Sequence, residues 1–257
     1  MITEVKGLVI RTVDIKETDR LITVFTEEMG VVTALARGAR SLKSRKMAAT
    51  MQFCYSNLVL YKQGDKYTVK EAELIESFFD IRASIEGLAL AAYIAEVLSY
   101  VTVEESERDL LRLSLNSLYA ISRGKYSLDK IKAGFEIRAT SILGFMPDVL
   151  ACNRCKAVGG DFFFDIMGGV IECAACRSEA QKSGELPPDP HESHILCVLS
   201  EGAKTALGYC IHAPLEKLFS FNISKEDMRL FTRAAEEYIL NQLGRSYKSL
   251  DFYKSVR

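Results

Sequence analysis

Four cysteines in two closely spaced pairs constrain the fold of this chain more than any other feature of its sequence. Cys152 and Cys155 form one C-x2-C pair, Cys173 and Cys176 form a second, and 17 residues separate the pairs. Thiolates at positions i and i+3 of a tight turn converge on one point, so two such turns supply four sulfur ligands to one ion. The spacing predicts a single bound Zn²⁺.

The residues between the two pairs favour a short β ribbon. Glycine pairs at 159–160 and 168–169 flank a strand-like segment, 161–165, and a second apolar segment follows. Four thiolates close the coordination shell of the metal, whereas a catalytic zinc keeps one position open for water. We therefore predict a structural zinc ribbon, with an iron–sulfur cluster or a redox-active dithiol as the alternatives.

The overall composition is that of an ordinary globular protein. Hydrophobic residues make up 48% of the chain and charged residues 26%. No apolar run approaches the roughly 20 residues of a membrane-spanning helix, and no signal peptide is recognisable at the amino end. We therefore expect a cytoplasmic protein with no membrane partner. Its seven cysteines should form no disulfide framework, because that compartment is reducing.

The first part of the chain alternates between apolar and polar residues. Residues 4–77 are rich in Val, Ile, Thr and Tyr, and turn-forming residues such as those at 17–19, 27–30 and 63–65 interrupt them. Five short strands within about 80 residues fit a small barrel or sandwich, and barrel closure removes the exposed sheet edges. The pattern favours an OB-fold β-barrel.

After Ile81 the apolar residues recur with a helical period of about 3.6. Two of the resulting helices are predicted to end at Gly124 and Gly144, because glycine tolerates the left-handed conformation that follows a helix. Beyond the cysteine pairs, helical patterning resumes at His194. Ser224 then opens a last long helix through a capping box. The order of the chain is thus β, α, cysteine module, α.

Charge is unevenly distributed, although the formal net charge is only −1. Residues 37–46, between the third and fourth predicted strands, contain five cations and no acid. Loops of OB barrels commonly bind nucleic acid, and the small residues of this run indicate a mobile loop whose backbone can also reach phosphates. The alternative is a solvated loop without a ligand. The candidate binding residues are Arg37, Arg40, Lys43, Arg45 and Lys46.

Sequence motifs of catalysis are absent. The chain contains neither a GxxxxGKS phosphate-binding loop nor a GxSxG nucleophile elbow. His191 and His194 could bind a metal from one helical turn, but no third ligand accompanies them. We predict a binding protein rather than an enzyme. The rival interpretations are an RNA-binding or transcription-associated OB protein with a zinc ribbon, and an unrecognised metal hydrolase.

The order of these modules resembles the bacterial recombination-mediator family RecO. The resemblance begins with the barrel sequence VKGLVIRTVDIKETDRLITVFTEEMG and the GAR and basic stretch that follow it. It continues with GFEIRATSILGFMPDVLACNRC, FDIMGGVIECAAC and RSYKSLDFY, and so covers essentially the whole chain. It implies an α+β multidomain fold with an OB-fold domain at 1–80 and an all-α helical domain in two pieces, 81–148 and 187–257. The four-cysteine zinc ribbon would be inserted between them at 149–186.

The resemblance also implies a function in DNA repair and homologous recombination. A protein of this family would bind single- and double-stranded DNA in the nucleoid and anneal complementary strands. With its partner RecR it would help to load RecA onto DNA coated by single-strand binding protein. No bond is made or broken in this work, which accounts for the absence of a catalytic motif.

A second implied partner is the acidic carboxy-terminal tail of single-strand binding protein, captured by the helical domain. Such a site needs an apolar pocket rimmed by cations. The third predicted helix carries suitable residues, although an amphipathic helix with an ordinary solvated face would look the same. The candidates are Lys130, Lys132, Phe135 and Arg138.

Overall fold

The computed structural model describes residues 1–101, 107–184 and 195–257. Contacts group the chain into two compact units. The first, here called the barrel unit, contains Met1–Lys125 and Tyr247–Arg257, and the second, the ribbon unit, contains Tyr126–Ser246. The division into four segments at 80, 148 and 186 stays a prediction. His191 and His194 lie outside the described residues.

Five strands form the closed barrel that the alternating pattern predicts. The strand order around the barrel is β1-β2-β3-β5-β4, and all neighbours are antiparallel except β3 and β5. Apolar residues at alternate positions fill the interior, among them Ile22, Val24 and Leu58. The strands are β1 (Ile2–Ile15), β2 (Asp19–Thr26), β3 (Gly30–Ala36), β4 (Tyr55–Gln63) and β5 (Lys66–Glu76).

Closure of the barrel depends on one glycine in β1, the strand that pairs with both β2 and β4. A Cβ added at Gly7 would lie 2.8 Å from the carbonyl oxygen of Phe25 and closer still to Val24. A side chain here would therefore force β1 away from β2.

Helices complete the barrel unit. A short α1 (Lys46–Ala49) precedes β4, and a 3-10 turn (Phe79–Ala83) leads to α2 (Ile85–Ser99) and α3 (Glu107–Arg123). The carboxy-terminal α8 (Lys248–Ser255) packs on α2, where the rings of Tyr93 and Tyr247 meet edge to face with centroids 5.6 Å apart.

The ribbon unit combines helices with a three-stranded sheet of order β7-β6-β8. The predicted hairpin between the cysteine pairs is confirmed as antiparallel β6 and β7. Ser224 caps α7 as predicted, its Oγ accepting from the backbone N–H of Asp227 at 3.1 Å. The elements are α4 (Leu128–Ile142), β6 (Phe162–Asp165), β7 (Val170–Cys173), α5 (Ala174–Lys182), β8 (Leu196–Leu199), α6 (Glu201–His212), a 3-10 turn (Leu215–Lys217) and α7 (Lys225–Gln242).

The prediction of helix from His194 onward is wrong at its start. Leu196–Leu199 form strand β8, which pairs antiparallel with β6, and the helix begins only at Glu201. A run of four apolar residues has no readable period, and here pairing with β6 decides its conformation. None of the helices in the described ranges combines the length and apolar character needed to cross a bilayer.

Candidate nucleic-acid interface and candidate metal centre

The basic loop, residues 37–46, joins β3 to α1 on the barrel. Arg37, Arg40, Lys43 and Arg45 are exposed, whereas Lys46 is half-buried. Burial, together with the positive charge of Lys70, lowers the pKa of Lys46, although Asp19 opposes this shift. The loop therefore presents most of its charge to solvent.

Backbone contacts hold the basic loop to the turn between β1 and β2. The backbone N–H of Gly38 donates to Asp19 Oδ1 at 2.8 Å, and that of Arg40 donates to the carbonyl oxygen of Thr18 at 2.9 Å. Between them, Ala39 is fully buried and belongs to the barrel core. These contacts attach Gly38, Ala39 and Arg40 to the barrel, and the mobility of the remainder of the loop stays a prediction.

One cation of the loop is already paired. The guanidinium of Arg40 lies 3.2 Å from Asp14 Oδ2 and donates to the carbonyl oxygens of Lys16 and Glu17 at 2.8 and 3.1 Å. Among the residues that the structure describes, no ion pair or hydrogen bond engages the side chains of Arg37, Lys43 and Arg45. We call these three residues the free loop cations. Sequence reasoning missed Asp14, and its position at the end of a strand gave no signal of its role.

The four predicted ligand cysteines converge on one point. Their Sγ atoms all lie within 4.8 Å of one another, and those of Cys155 and Cys173 are 3.7 Å apart. Sulfur atoms in a tetrahedron with metal–sulfur bonds of about 2.3 Å are about 3.8 Å apart, so the cluster fits a four-coordinate metal ion. The cluster could therefore hold one such ion.

Backbone N–H groups support the sulfur atoms. The Sγ of Cys152 accepts from the N–H of Cys173 at 3.3 Å, and the Sγ of Cys173 caps α5 by accepting from the N–H of Cys176 at 3.5 Å. In the first knuckle, Lys156 adopts a left-handed backbone with φ of 62° and donates its N–H to the carbonyl oxygen of Cys152. Each cysteine pair thus forms the tight turn that its spacing predicts.

The electrostatics of the cluster favour a bound cation. Burial opposes ionisation of Cys152, yet hydrogen bonds from the N–H groups of Cys155, Cys173 and Arg154 lower the pKa of this thiol to about 6. Contact with Cys155 and the other sulfur atoms raises the pKa of Cys176 to about 12. Four thiolates this close together repel one another, and a metal ion would supply the compensating charge.

Two arginines beside the cluster share one carboxylate. Arg154 Nε lies 2.8 Å from Glu172 Oε1, and Arg177 Nη1 lies 3.5 Å from Glu172 Oε2. Arg177 is buried and its guanidinium stands 5.6 Å from the ring centroid of Phe163. Both arginines therefore help to hold the ribbon in shape.

Two residues of the predicted tail-binding site on α4 are buried. Lys132 is 1% exposed and its Nζ lies 2.8 Å from both Glu136 Oε1 and Glu236 Oε2. Phe135 is 0% exposed. The structure corrects the prediction for these two residues, because a buried side chain cannot line a surface pocket.

The other two α4 candidates are partly buried and bonded within the ribbon unit. Lys130 Nζ donates to the carbonyl oxygen of Phe221 at 2.6 Å and lies 5.0 Å from the centroid of its ring. Arg138 donates to the carbonyl oxygens of Cys210 and Ala213 at 2.7 and 2.5 Å. Their contact with a partner stays a prediction.

A closed five-stranded barrel with a basic loop, followed by a helical unit that contains a four-cysteine ribbon, defines a multidomain protein of the OB-barrel class. A family model described as "Recombination protein O N terminal" matches residues 1–78, and one described as "Recombination protein O C terminal" matches residues 82–251. The chain belongs to the RecO family of DNA repair and recombination proteins.

Curated relatives match over nearly their whole length. A protein named "DNA repair protein RecO" from Acetivibrio thermocellus is 36% identical over 97% of this chain and 95% of its own length. Proteins of the same name from Caldicellulosiruptor saccharolyticus and Symbiobacterium thermophilum are each 29% identical over 98% of this chain, and the match covers 98% and 97% of those proteins. The resemblance found in the sequence is thereby confirmed.

Proposed function

We propose that this chain is a non-catalytic mediator of DNA repair that binds single- and double-stranded DNA at the nucleoid and anneals complementary strands. Two DNA strands repel each other through their phosphates, and a cationic surface that contacts both reduces this repulsion. With RecR, the protein would help to load RecA onto DNA coated by single-strand binding protein.

This proposal rests on one observation, that the free loop cations are exposed on the barrel matched by the N-terminal family model. Arg37, Lys43 and Arg45 are exposed and unengaged within the described ranges, and Ala39 anchors the loop that carries them. If the three cations contact phosphates, the logarithm of single-strand affinity should fall with that of salt concentration with a slope of about −2. If Arg40 and Lys46 also contacted phosphates, the slope would be about −3.5.

For the metal centre we propose one structural Zn²⁺ held by Cys152, Cys155, Cys173 and Cys176. Bound zinc would cross-link the ends of the β6–β7 ribbon and leave no coordination position for substrate. The fit of the sulfur spacing and the need for a compensating cation support this assignment.

Capture of the acidic tail of single-strand binding protein also belongs to this proposal. After the correction for Lys132 and Phe135, Lys130 and Arg138 are the remaining α4 candidates. Both side chains already donate hydrogen bonds to carbonyl oxygens of the ribbon unit. A tail carboxylate would have to bind in addition to these hydrogen bonds.

Binding and annealing can be tested on the whole chain. Affinity for an oligo(dT) strand, duplex DNA and the matching RNA is measured at several salt concentrations, and annealing of labelled complementary strands is followed without ATP. We expect DNA binding and ATP-independent annealing. RecA assembly on a strand coated by single-strand binding protein, with and without RecR, tests the coupled step.

The decisive variant removes the free loop cations together. Replacing Arg37, Lys43 and Arg45 with Ala should reduce the magnitude of the single-strand salt slope by about 2 and weaken binding evenly across sequences. A control with Lys182, Lys217 and Lys225 replaced by Ala removes the same charge from exposed positions of the ribbon unit. Equal losses in both variants, or no loss in the first, would contradict the proposal.

A further inference from the structure

A β-bulge in β5 redirects one lysine of the barrel. The register pairs Val59 with Glu71 and Leu60 with Val69, so Lys70 is one extra residue on β5. A bulge bends its strand and re-aims the side chain at that position, and bulges are common next to binding sites. Lys70 is exposed on the outer surface of the barrel.

The redirected lysine lies over an aromatic ring. Lys70 Nζ is 5.0 Å from the ring centroid of Tyr61 on the neighbouring strand β4. Leu58 and Leu60 belong to the barrel core, so by alternation Tyr61 stands on the outer face, where it is half-buried. An aromatic ring beside a flexible cation is the combination that binds a base and its phosphate in single-stranded nucleic acid.

This pair adjoins the end of the basic loop. Lys46 Nζ lies 3.5 Å from the carbonyl oxygen of Val69, the residue before the bulge. Arg45, Lys46 and Lys70 line one groove of about 610 Å³ on the barrel surface. A polyanion bound at the loop therefore meets Lys70, whose Nζ stands over the ring of Tyr61.

The distribution of charge around β4 and β5 indicates the direction in which a bound single strand would run. Glu4, Glu71 and Glu73 line the other part of that groove and would repel phosphates. Toward the β4–β5 turn, Lys62 and Lys66 are exposed together with one acid, Asp65, so the exposed charge there is net positive. A strand that leaves the loop should therefore pass over Tyr61 toward the turn.

We propose that Tyr61 is a stacking platform for an unpaired base and that Lys70 holds the adjoining phosphate. This inference rests on the proposed DNA-binding function and adds to it a route for the single strand. The bases of a duplex are already stacked on one another, so Tyr61 distinguishes single strands from duplexes. Lys70 is long and exposed, and can turn from the ring to a phosphate when a base arrives.

The chain contains no tryptophan, which makes a direct test simple. Tyr61→Trp introduces a single indole whose fluorescence is quenched when a base stacks on it. Tyr55→Trp is a matched control on the same strand, because its hydroxyl donates to Glu27 at 3.4 Å and its surroundings are acidic. We expect oligo(dT) to quench the indole at position 61 and leave that at position 55 unchanged. Duplex DNA should quench neither.

Affinity measurements provide the second readout. Tyr61→Leu should weaken single-strand binding roughly tenfold and leave duplex binding within about twofold, while Tyr61→Phe should bind normally. Lys70→Gln should reduce the single-strand salt slope by about 0.7. Circular dichroism verifies that each variant is folded.

The outcomes separate this inference from the proposed function. If the wild type binds single strands through the loop but the indole at position 61 is not quenched, the stacking platform is overturned and the DNA-binding function stands. If the wild type binds no DNA, both are overturned. Equal quenching of the indoles at positions 55 and 61 would contradict the proposed path of the single strand over Tyr61.

Discussion

The basic loop of the barrel unit and the cations of α4 in the ribbon unit differ in how far their charges are engaged within the protein. In the barrel unit, the free loop cations project from an anchored loop and are exposed to solvent. In the ribbon unit, Lys132 is enclosed between two carboxylates, and Arg138 donates to backbone carbonyl oxygens. Both sets are short clusters of Lys and Arg in the sequence, yet the free loop cations are unengaged within the described residues, whereas the α4 cations contact carboxylates or carbonyl oxygens.

The difference comes from the backbone that carries each cluster. On α4, an acid four residues away lies on the same helical face as Lys132, and Glu236 on α7 completes the enclosure. The basic loop contains no acid. Asp14 pairs with only one of its cations, Arg40. Availability of charge therefore depends on the neighbours that the fold provides and not on the number of cations.

The largest effect is expected at the cysteine cluster, because the proposed zinc would join the two cysteine pairs. Replacing Cys173 and Cys176 with Ser should abolish zinc binding and destabilise the ribbon unit, since zinc binding contributes about 10–16 kcal/mol to the folding of zinc-finger peptides. Metal content per chain and the thermal unfolding curve measure both results. Cys54→Ala, in the barrel unit, should retain one zinc. Retention of one zinc by the double variant would show that the four-cysteine assignment is wrong.

Removal of the enclosed lysine should have the next largest effect. Lys132→Met removes the cation that lies between the buried Glu136 and the half-buried Glu236, and breaking such a buried pair costs about 3–5 kcal/mol. The free energy of unfolding from urea titration measures the loss. The matched variant Lys43→Met, in the basic loop, should change stability by no more than about 0.5 kcal/mol. Similar losses of unfolding free energy at positions 132 and 43 would show that the two lysines do not differ in their contribution to stability.

Alkaline pH should reproduce part of that loss in the wild type. Burial favours the neutral form of Lys132, but Glu136 and Glu236 outweigh it and raise the pKa above the ordinary value of 10.5. Because the folded pKa is the higher one, the stabilisation is complete below about pH 10.5 and is lost as pH rises through the folded pKa. Unfolding curves of wild type and Lys132→Met should therefore converge above that pH. A constant difference up to about pH 12 would contradict this sign.

The smallest expected effect concerns the partner of Arg40. Asp14→Asn removes the carboxylate that Arg40 shares with Arg20, at a cost of about 1 kcal/mol or less for so exposed a pair. With its charge no longer neutralised, Arg40 keeps its hydrogen bonds to the carbonyl oxygens of Lys16 and Glu17 but can also contact a phosphate. The magnitude of the single-strand salt slope should then increase by up to about 0.7. A decrease in affinity would show that Asp14 acts mainly by positioning the loop.

Local patterns were sufficient to predict much of this fold. Alternation predicted the barrel strands, glycines predicted the ends of α3 and α4, and cysteine spacing predicted the turns of the metal centre. Each of these signals lies within a few residues of the feature that it specifies. The same holds for Ser224 and the start of α7.

The features that could not be predicted from the sequence depend on contacts between residues that lie far apart in the chain. The burial of Lys132 requires Glu236, which lies more than 100 positions away. The strand β8 exists because β6 is beside it, and Lys70 points toward Tyr61 because of a shift in register. The spacing of apolar residues within one helix or strand does not indicate such pairings. The candidate sites could therefore be located from the sequence, but the availability of their side chains could not.

The burial of Ala39 has a consequence for how quickly and tightly the barrel can bind. A flexible basic segment loses conformational entropy when it settles on a ligand, and that loss subtracts from affinity. Here Ala39, near the start of the segment, is already held in the barrel interior, so part of that ordering is completed during folding. A glycine–serine segment with identical cations would carry the same charge and bind more weakly, because it would still have to be ordered at the moment of encounter.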